Sequence, residues 1–408
     1  MGNATDRILP LVDRNLDGYI EMLLGAIRIP SVNPAFGGGG EEAVQAYVAD
    51  QMRAIGLVVE RYDVLTGRPN VVGSVGDGER IALLLNSHVD TAPADVARWR
   101  RDPFDAHVED GRIVGLGAVD AKGQVAIFLA ALDVVKRVGI PLRRVALSSV
   151  MDEEAGGRGS VRLVEDGLRA EAALVGEATG MEICPASRGA FRLEVEIEGR
   201  AAHLGAAFEG MSAVEKGARL VTALEKLPAD LDAWHLHPAW QDLPVGHVTT
   251  ATVFDAPNPT GAVPDTCRIV WSVGLVAGED SDAVQGRVRA FLDALICEDP
   301  WLRAHPPQVT IHPPHIEAAA SPLDTPLVLA LRRAAVSIGR ADVRVGALSA
   351  GTDGRHLQNL GGIPSVNFGP GDLRRAHSPD ESLPVEDYRT AIAWVAGAIV
   401  DLCGREAS

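Results

Sequence analysis

Apolar residues recur along this chain at two spacings, and the alternation of those spacings predicts an α/β fold. Asp17–Ile29 carries the three-to-four-residue spacing of an amphipathic helix and stops at Pro30; Glu41–Ile55 carries it again and stops at Gly56. Ile81–Leu85 is an unbroken apolar run of strand length that leads into His88. Val145–Val150 is a second such run, leading into Asp152, Glu153 and Glu154. Between them Gly123–Val138 reads as a helix closed by Gly139. Strand, crossover helix and strand predict a mostly parallel sheet. Open α/β sheets place their sites beyond the carboxyl ends of the strands, so chemistry is expected in the polar residues that follow these runs.

After Glu177 the pattern changes. Phe191–Glu198 alternates apolar and charged residues, Ser212–Leu227 and Asp282–Ile296 read as helices, and His247–Phe254, Arg268–Val276 and Gln308–His312 read as strands. Strand, helix, strand, strand, helix, strand is an α+β pattern, which predicts an inserted second domain over 188–315. The catalytic domain is then discontinuous, with a first part at 1–187 and a second at 316–408. Gly37–Gly40 and Asn258–Gly261 read as loops.

Composition narrows the partners. The chain has 408 residues, 47% of them apolar, with 38 Lys and Arg against 55 Asp and Glu, a formal charge of −17. That charge disfavours nucleic acid and anionic membrane surfaces and leaves a small molecule as the expected substrate. Cys184, Cys267, Cys297 and Cys403 are far apart and form no C-x-x-C, which fits a reduced cytoplasm better than a disulfide framework or a thiolate metal site. Met1–Asn15 alternates charges and has no apolar signal core. The apolar stretch Val125–Val135 is interrupted by Asp133 and is too short to span a bilayer, and Asp6 stands where a myristoylation signal needs Ser or Thr.

Five blocks carry candidate metal ligands: His88 in S-H-V-D-T, Asp120 in V-D-A-K-G, Glu154 in D-E-E-A-G-G, Glu177 in V-G-E-A-T and His377 in A-H-S-P-D-E. Two imidazoles and three carboxylates suit two zinc-like ions sharing one carboxylate. Each block alone has a plainer reading. His88 is equally a loop histidine, although Asp90 two residues on can take the proton of its second ring nitrogen. Asp120 is equally a helix N-cap, the acidic triplet a solvated loop, and Glu177 a surface acid at a strand end.

Taken in order, the five blocks resemble the family of acetylornithine deacetylase, succinyl-diaminopimelate desuccinylase, aminoacylase and carboxypeptidase G. The resemblance runs from about residue 20 to 390. It implies that the inserted domain is a lid or dimerisation domain. It implies Asp120 as the bridging carboxylate, His88 and Glu177 on one ion, and Glu154 and His377 on the other. It further implies Asp90 as partner of His88, Glu153 as general base, and His203 in G-R-A-A-H-L-G as a donor to the reaction's oxyanion, supplied in dimeric members by the partner subunit. The implied reaction is hydrolysis of an amide bond in a small N-acyl amino acid or related amine, with two divalent ions, zinc first and cobalt or manganese as substitutes, in a homodimer.

The chain departs from the family at three places. Leu116 in G-L-G-A stands where the family often has Arg. Gly261 and Gly274 stand where many members hold a substrate carboxylate with Asn and Arg, while the intervening Pro264 is kept. Arg188 in S-R-G, with Thr352 and Arg355 in G-T-D-G-R, remains as candidate substrate-binding groups. Three further readings stay open: a dipeptidase or carboxypeptidase of the same family, a hydrolase of carboxylate-free N-acyl amides, and a non-catalytic binding protein.

Overall fold

The computed structural model describes residues 6–227, 231, 238–240, 249–257, 261–313 and 316–405. Their contacts divide them into two compact units. The first comprises Met1–Ala186, Ala320–Leu348 and Thr352–Ser408; the second comprises Ser187–Ala319 with Ser349–Gly351.

The first unit is built on a mixed sheet whose strands run in the order Val58–Leu65, Arg68–Val75, Val145–Val150, Leu83–His88, Ala173–Gly176, Ser365–Phe368 and Ile183–Ser187. Val145–Val150, Leu83–His88, Ala173–Gly176 and Ser365–Phe368 are parallel neighbours. All four are buried along their whole length, as their unbroken apolar character requires of strands covered on both faces. The crossover helix Lys122–Val138 buries nearly every side chain in its length. Its one internal acid, Asp133, accepts a hydrogen bond of 2.7 Å from the Tyr19 hydroxyl.

The second unit has its own sheet, entirely antiparallel, with the order Thr249–Asp255, Thr266–Leu275, Gly189–Glu198 and Gln308–Ile311. Phe191, Leu193, Val195 and Ile197 turn to one face, where they pack with Trp271 and the helices Ala213–Leu224 and Ser281–Glu298. Ser212 caps the first of these helices by accepting the Glu215 amide at 3.2 Å.

Most expected elements shift at their ends by one to three residues, and two of the differences bear on the core and the site. The first helix runs Ile8–Ile27, not Asp17–Ile29. Ile8 and Val12 extend its buried stripe backward from Tyr19, while the charges of that segment occupy the opposite face. The strand expected at Ile81–Leu85 runs Leu83–His88, so pairing with Val145–Val150 continues through the polar residues Asn86 and Ser87 and ends on His88 itself. His247, within the expected strand His247–Phe254, and Asn258–Thr260 lie outside the described residues, as do Met1–Thr5. The four cysteines are free.

The first unit's core closes on Trp394, fully buried, with its indole N–H donating to the Leu331 carbonyl at 2.8 Å and its ring centroid 4.8 Å from that of Phe368. Trp394→Ala should cost about 3–5 kcal/mol, read as a lower denaturant midpoint at unchanged far-ultraviolet circular dichroism of the remaining fold.

Candidate metal centre

The candidate ligands, Asp120 apart, follow ends of the parallel strands. His88 is the last residue of its strand, Glu177 directly follows Ala173–Gly176, and Glu153 and Glu154 lie in a single 3-10 turn beyond Val145–Val150. Asp120 precedes the crossover helix, and His377 sits in the loop after Ser365–Phe368 with a left-handed backbone, φ 55°. Asp120 is not the helix cap: Ala121 holds that position and no side chain caps it.

The side chains form two triads with a common member. Ligand atoms of His88, Asp120 and Glu177, and of Asp120, Glu154 and His377, lie within 4.8 Å of one another in each group. His88 Nε2 is 3.0 Å from Asp120 Oδ1, and His377 Nε2 is 3.3 Å from Asp120 Oδ2 and 3.1 Å from Glu154 Oε1. Nitrogen and oxygen donors at this spacing fit two borderline divalent cations with Asp120 shared between them.

Electrostatics point the same way. Burial raises the Glu153 carboxyl to about 8 and lifts Glu154 and Glu177 above their usual range. Asp120 is pulled down despite its burial, because it accepts hydrogen bonds from His377 and His88. Hydrogen bonding to Asp120 and Glu154 lifts His377 to about 11, and His88, though buried, is likewise held well above its usual value by Asp120 and Asp90. With no cation beside the carboxylates, hydrogen bonding to them thus favours the protonated form of both imidazoles.

Asp90 differs in detail from the expected arrangement. His88 Nδ1 donates to the backbone carbonyl of Asp90 at 2.9 Å, while the Asp90 carboxylate lies farther, at 3.4 Å. That carboxylate instead accepts the amides of Glu153 and Glu154, each at 3.1 Å. The tautomer of His88 is still fixed with Nε2 facing Asp120.

Glu153 belongs to neither triad. Its carboxylate is 3.7 Å from Arg355 Nη1, which also donates to the Thr352 carbonyl at 2.8 Å. The Thr352 hydroxyl, expected to meet a substrate, is fully buried; it donates to Asn367 Oδ1 at 2.8 Å and accepts the Gly354 amide at 3.2 Å. Thr352 therefore fixes its own turn, and Arg355 faces the base. Arg188 and His203 belong to the second unit. Arg188 is buried with its guanidinium 5.3 Å from the Trp240 ring centroid, and His203 is exposed with Nδ1 accepting the Gly205 amide at 3.0 Å. Gly261 has a positive φ of 62° and open space around it; Gly274 lies in the strand Thr266–Leu275, opposite Ala190. Leu116 is buried, its amide donating to Pro103.

Glu381 has a role that its sequence context gave only as a flank of His377. It is fully buried, and its Oε1 accepts the amides of Gly117, Val119 and Asp120 at 3.1, 2.7 and 3.1 Å. Asp380 beside it holds Arg100 through the backbone amide at 3.0 Å and Nε at 2.8 Å. A-H-S-P-D-E thus anchors two other segments as well as presenting His377.

Residues 84–401 match the family described as "Peptidase family M20/M25/M40". An N-formyl-4-amino-5-aminomethyl-2-methylpyrimidine deformylase of Bacillus subtilis (strain 168) is 27% identical over 388 residues, 90% of this chain and 90% of that protein. An acetylornithine deacetylase of Myxococcus xanthus is 31% identical over 366 residues, 88% of this chain and 91% of that protein. A crystal structure of a tripeptidase from Staphylococcus aureus shares the fold at a TM-score of 0.74 and 20% identity, covering 95% of this chain and 98% of that one.

Because both imidazoles favour their protonated form in the metal-free protein, zinc binding should release protons and weaken as the pH falls. Calorimetric titration in two buffers of different ionisation enthalpy checks this; identical heats in both would contradict it.

Proposed function

The chain belongs to peptidase family M20/M25/M40, and from that premise we propose that it is a two-metal amidohydrolase cleaving the C–N bond of a small N-acyl amino acid or related amine. The observation that carries the reading is the pair of triads sharing Asp120, with a half-buried carboxylate, Glu153, left over beside them. His88, Asp120 and Glu177 would hold one ion, and Asp120, Glu154 and His377 the other. Zinc is the first candidate, with cobalt or manganese as substitutes for the same N/O donors. Such ions supply acidified water and a polarised carbonyl when bound.

The chain's own residues supply the rest. Glu153 takes the proton of the attacking water and returns it to the departing amine, a contribution of about 10²–10⁴ in rate. Arg355 holds that carboxylate in place from 3.7 Å. In His203, Nδ1 accepts the Gly205 N–H, so a neutral ring carries its proton on Nε2 and presents a donor suited to an oxyanion. Such a role supports reading the second unit as a lid and dimerisation domain, with His203 acting across a homodimer. Exposed Leu204 and Phe208 beside His203, and Val253 and Phe254 on the edge strand Thr249–Asp255, support the dimer. A cytoplasmic setting is supported by the free cysteines. No helix among the described residues is long and apolar enough to cross a membrane.

A second substrate class is favoured by a specific set of observations. Gly261 and Gly274 offer no side-chain donor to a carboxylate, and Arg355 is engaged by Glu153 and the Thr352 carbonyl. The Bacillus relative is named for an N-formyl aminomethylpyrimidine, whose printed name includes no carboxylate. An N-acyl amide without an α-carboxylate therefore stands beside the N-acyl amino acid as substrate. The family also includes peptidases, so a dipeptide or carboxypeptidase substrate is the third class to be compared.

Glu153→Ala should abolish turnover while leaving two zinc ions per chain, and His203→Ala should lower the rate at unchanged metal content. Near-normal hydrolysis by the first variant would sink the base assignment. In the zinc-loaded protein, a panel of N-formyl, N-acetyl and N-succinyl amino acids, dipeptides and matched amides lacking the carboxylate separates the substrate classes by kcat/KM. Preference for the carboxylate-free amides is expected if the two lid glycines define the substrate, and preference for the acids would contradict it.

A further inference from the structure

We propose that Asn33 and Arg68 are positioning residues for the turn that carries Glu153 and Glu154, acting through Asp90 and Asp152. This rests on the reading of Glu153 as base and Glu154 as ligand. Asp90 and Asp152 are both buried, at 0% and 2% exposure, and would repel one another without compensation. The side-chain amide of Asn33, itself fully buried, lies between them: Nδ2 donates to Asp90 Oδ2 at 2.7 Å and to Asp152 Oδ1 at 3.2 Å. Its Oδ1 accepts the Ala35 amide at 2.9 Å, which fixes which end of the amide faces the carboxylates.

Arg68 supplies the positive charge. Its Nε and Nη2 meet both oxygens of the buried Glu41 at 2.8 and 2.6 Å, and Nη2 also reaches Asp152 Oδ1 at 2.9 Å. A guanidinium does this with a planar fork that an ammonium lacks. Glu41 Oε1 in turn accepts the Asp152 amide at 3.3 Å, where the backbone is left-handed with φ 70°.

The chain of contacts ends where the chemistry is. Each carboxylate oxygen of Asp90 accepts one of two successive amides, those of Glu153 and Glu154. Glu154 Oε1 is fixed further by the Ala92 amide at 2.8 Å, whereas Glu153 turns towards Arg355. Adjacent residues can hold different tasks only if their turn does not rotate, and Asp90 sets that rotation. Asn33 lies in S-V-N-P and Arg68 in T-G-R-P, neither near any ligand in sequence. A network serving stability alone has no reason to converge on these two amides.

The test compares Asn33→Ala and Arg68→Lys with Gln45→Ala, which removes another buried amide, one whose Nε2 donates to the Ser149 carbonyl at 3.0 Å and which does not touch the turn. Zinc titrated into each metal-free protein should show the first ion bound as in the parent. The second should bind about 10–100-fold more weakly in Asn33→Ala, with a smaller loss in Arg68→Lys. On the best substrate of the panel, kcat should fall by about 10²-fold in Asn33→Ala with little change in KM. Zinc affinity and kcat in Asn33→Ala no different from those of Gln45→Ala would overturn the proposal.

Should Asn33→Ala not fold, amide exchange in the metal-free parent decides. Slow exchange at Glu153 and Glu154, accelerated in Arg68→Lys, supports the network; free exchange of those two amides in the parent overturns it. Neither zinc titration nor exchange requires turnover. A protein that binds two ions and hydrolyses nothing would therefore count against the proposed function and not against this network.

Discussion

The concentration of negative charge at one end of a buried sheet is the constraint to which the rest of the structure answers. Asp90, Asp120, Glu153, Glu154 and Glu177 meet there with little solvent to screen them. A set of buried carboxylates costs several kcal/mol per uncompensated ion, so each must find a proton, a cation or backbone amides. Asp120 finds two imidazoles, Asp90 two amides and an asparagine, and Glu153 an arginine. Glu177 is held well above the usual carboxylate range by its burial. Two divalent cations would compensate Asp120, Glu154 and Glu177 together, which is why the geometry reads as a place prepared for metal.

Much of this was legible in the sequence because the signals are local. Apolar runs ending in Asp, Glu or His mark strands that deliver polar groups at their carboxyl ends, and Val145–Val150 is found where its composition placed it. The two-unit character followed from the change of pattern after Glu177. What could not be read is whatever depends on contact between distant segments. Asn33 and Asp90 are separated by 57 residues, Arg68 and Asp152 by 84, and Glu381 and Asp120 by 261. An asparagine in a proline turn looks like turn chemistry alone, and Glu381 looks like an attendant of His377. The bond from Thr352 to Asn367, in the strand Ser365–Phe368, was hidden for the same reason.

The family match and the departures from the resemblance fall differently along the chain. Matching residues span both halves of the first unit. The departures that bear on substrate, Gly261 and Gly274, fall in the second unit. The candidate metal ligands all fall in the first unit, whereas these two glycines fall in a separate body with its own core.

The strand Ser365–Phe368 lies between Ala173–Gly176 and Ile183–Ser187, which are near neighbours in sequence. The chain therefore leaves a slot in its sheet, builds the second unit around a separate core, and fills the slot nearly two hundred residues later. On the ribosome the sheet stays divided until this strand emerges, and His377 follows it. The last strand of this order and the last candidate ligand arrive close together, so a nascent chain lacks the full set of candidate ligands until the slot in its sheet can be filled. Long-range closure of this kind makes folding slow, and it keeps an incomplete product from presenting a finished site.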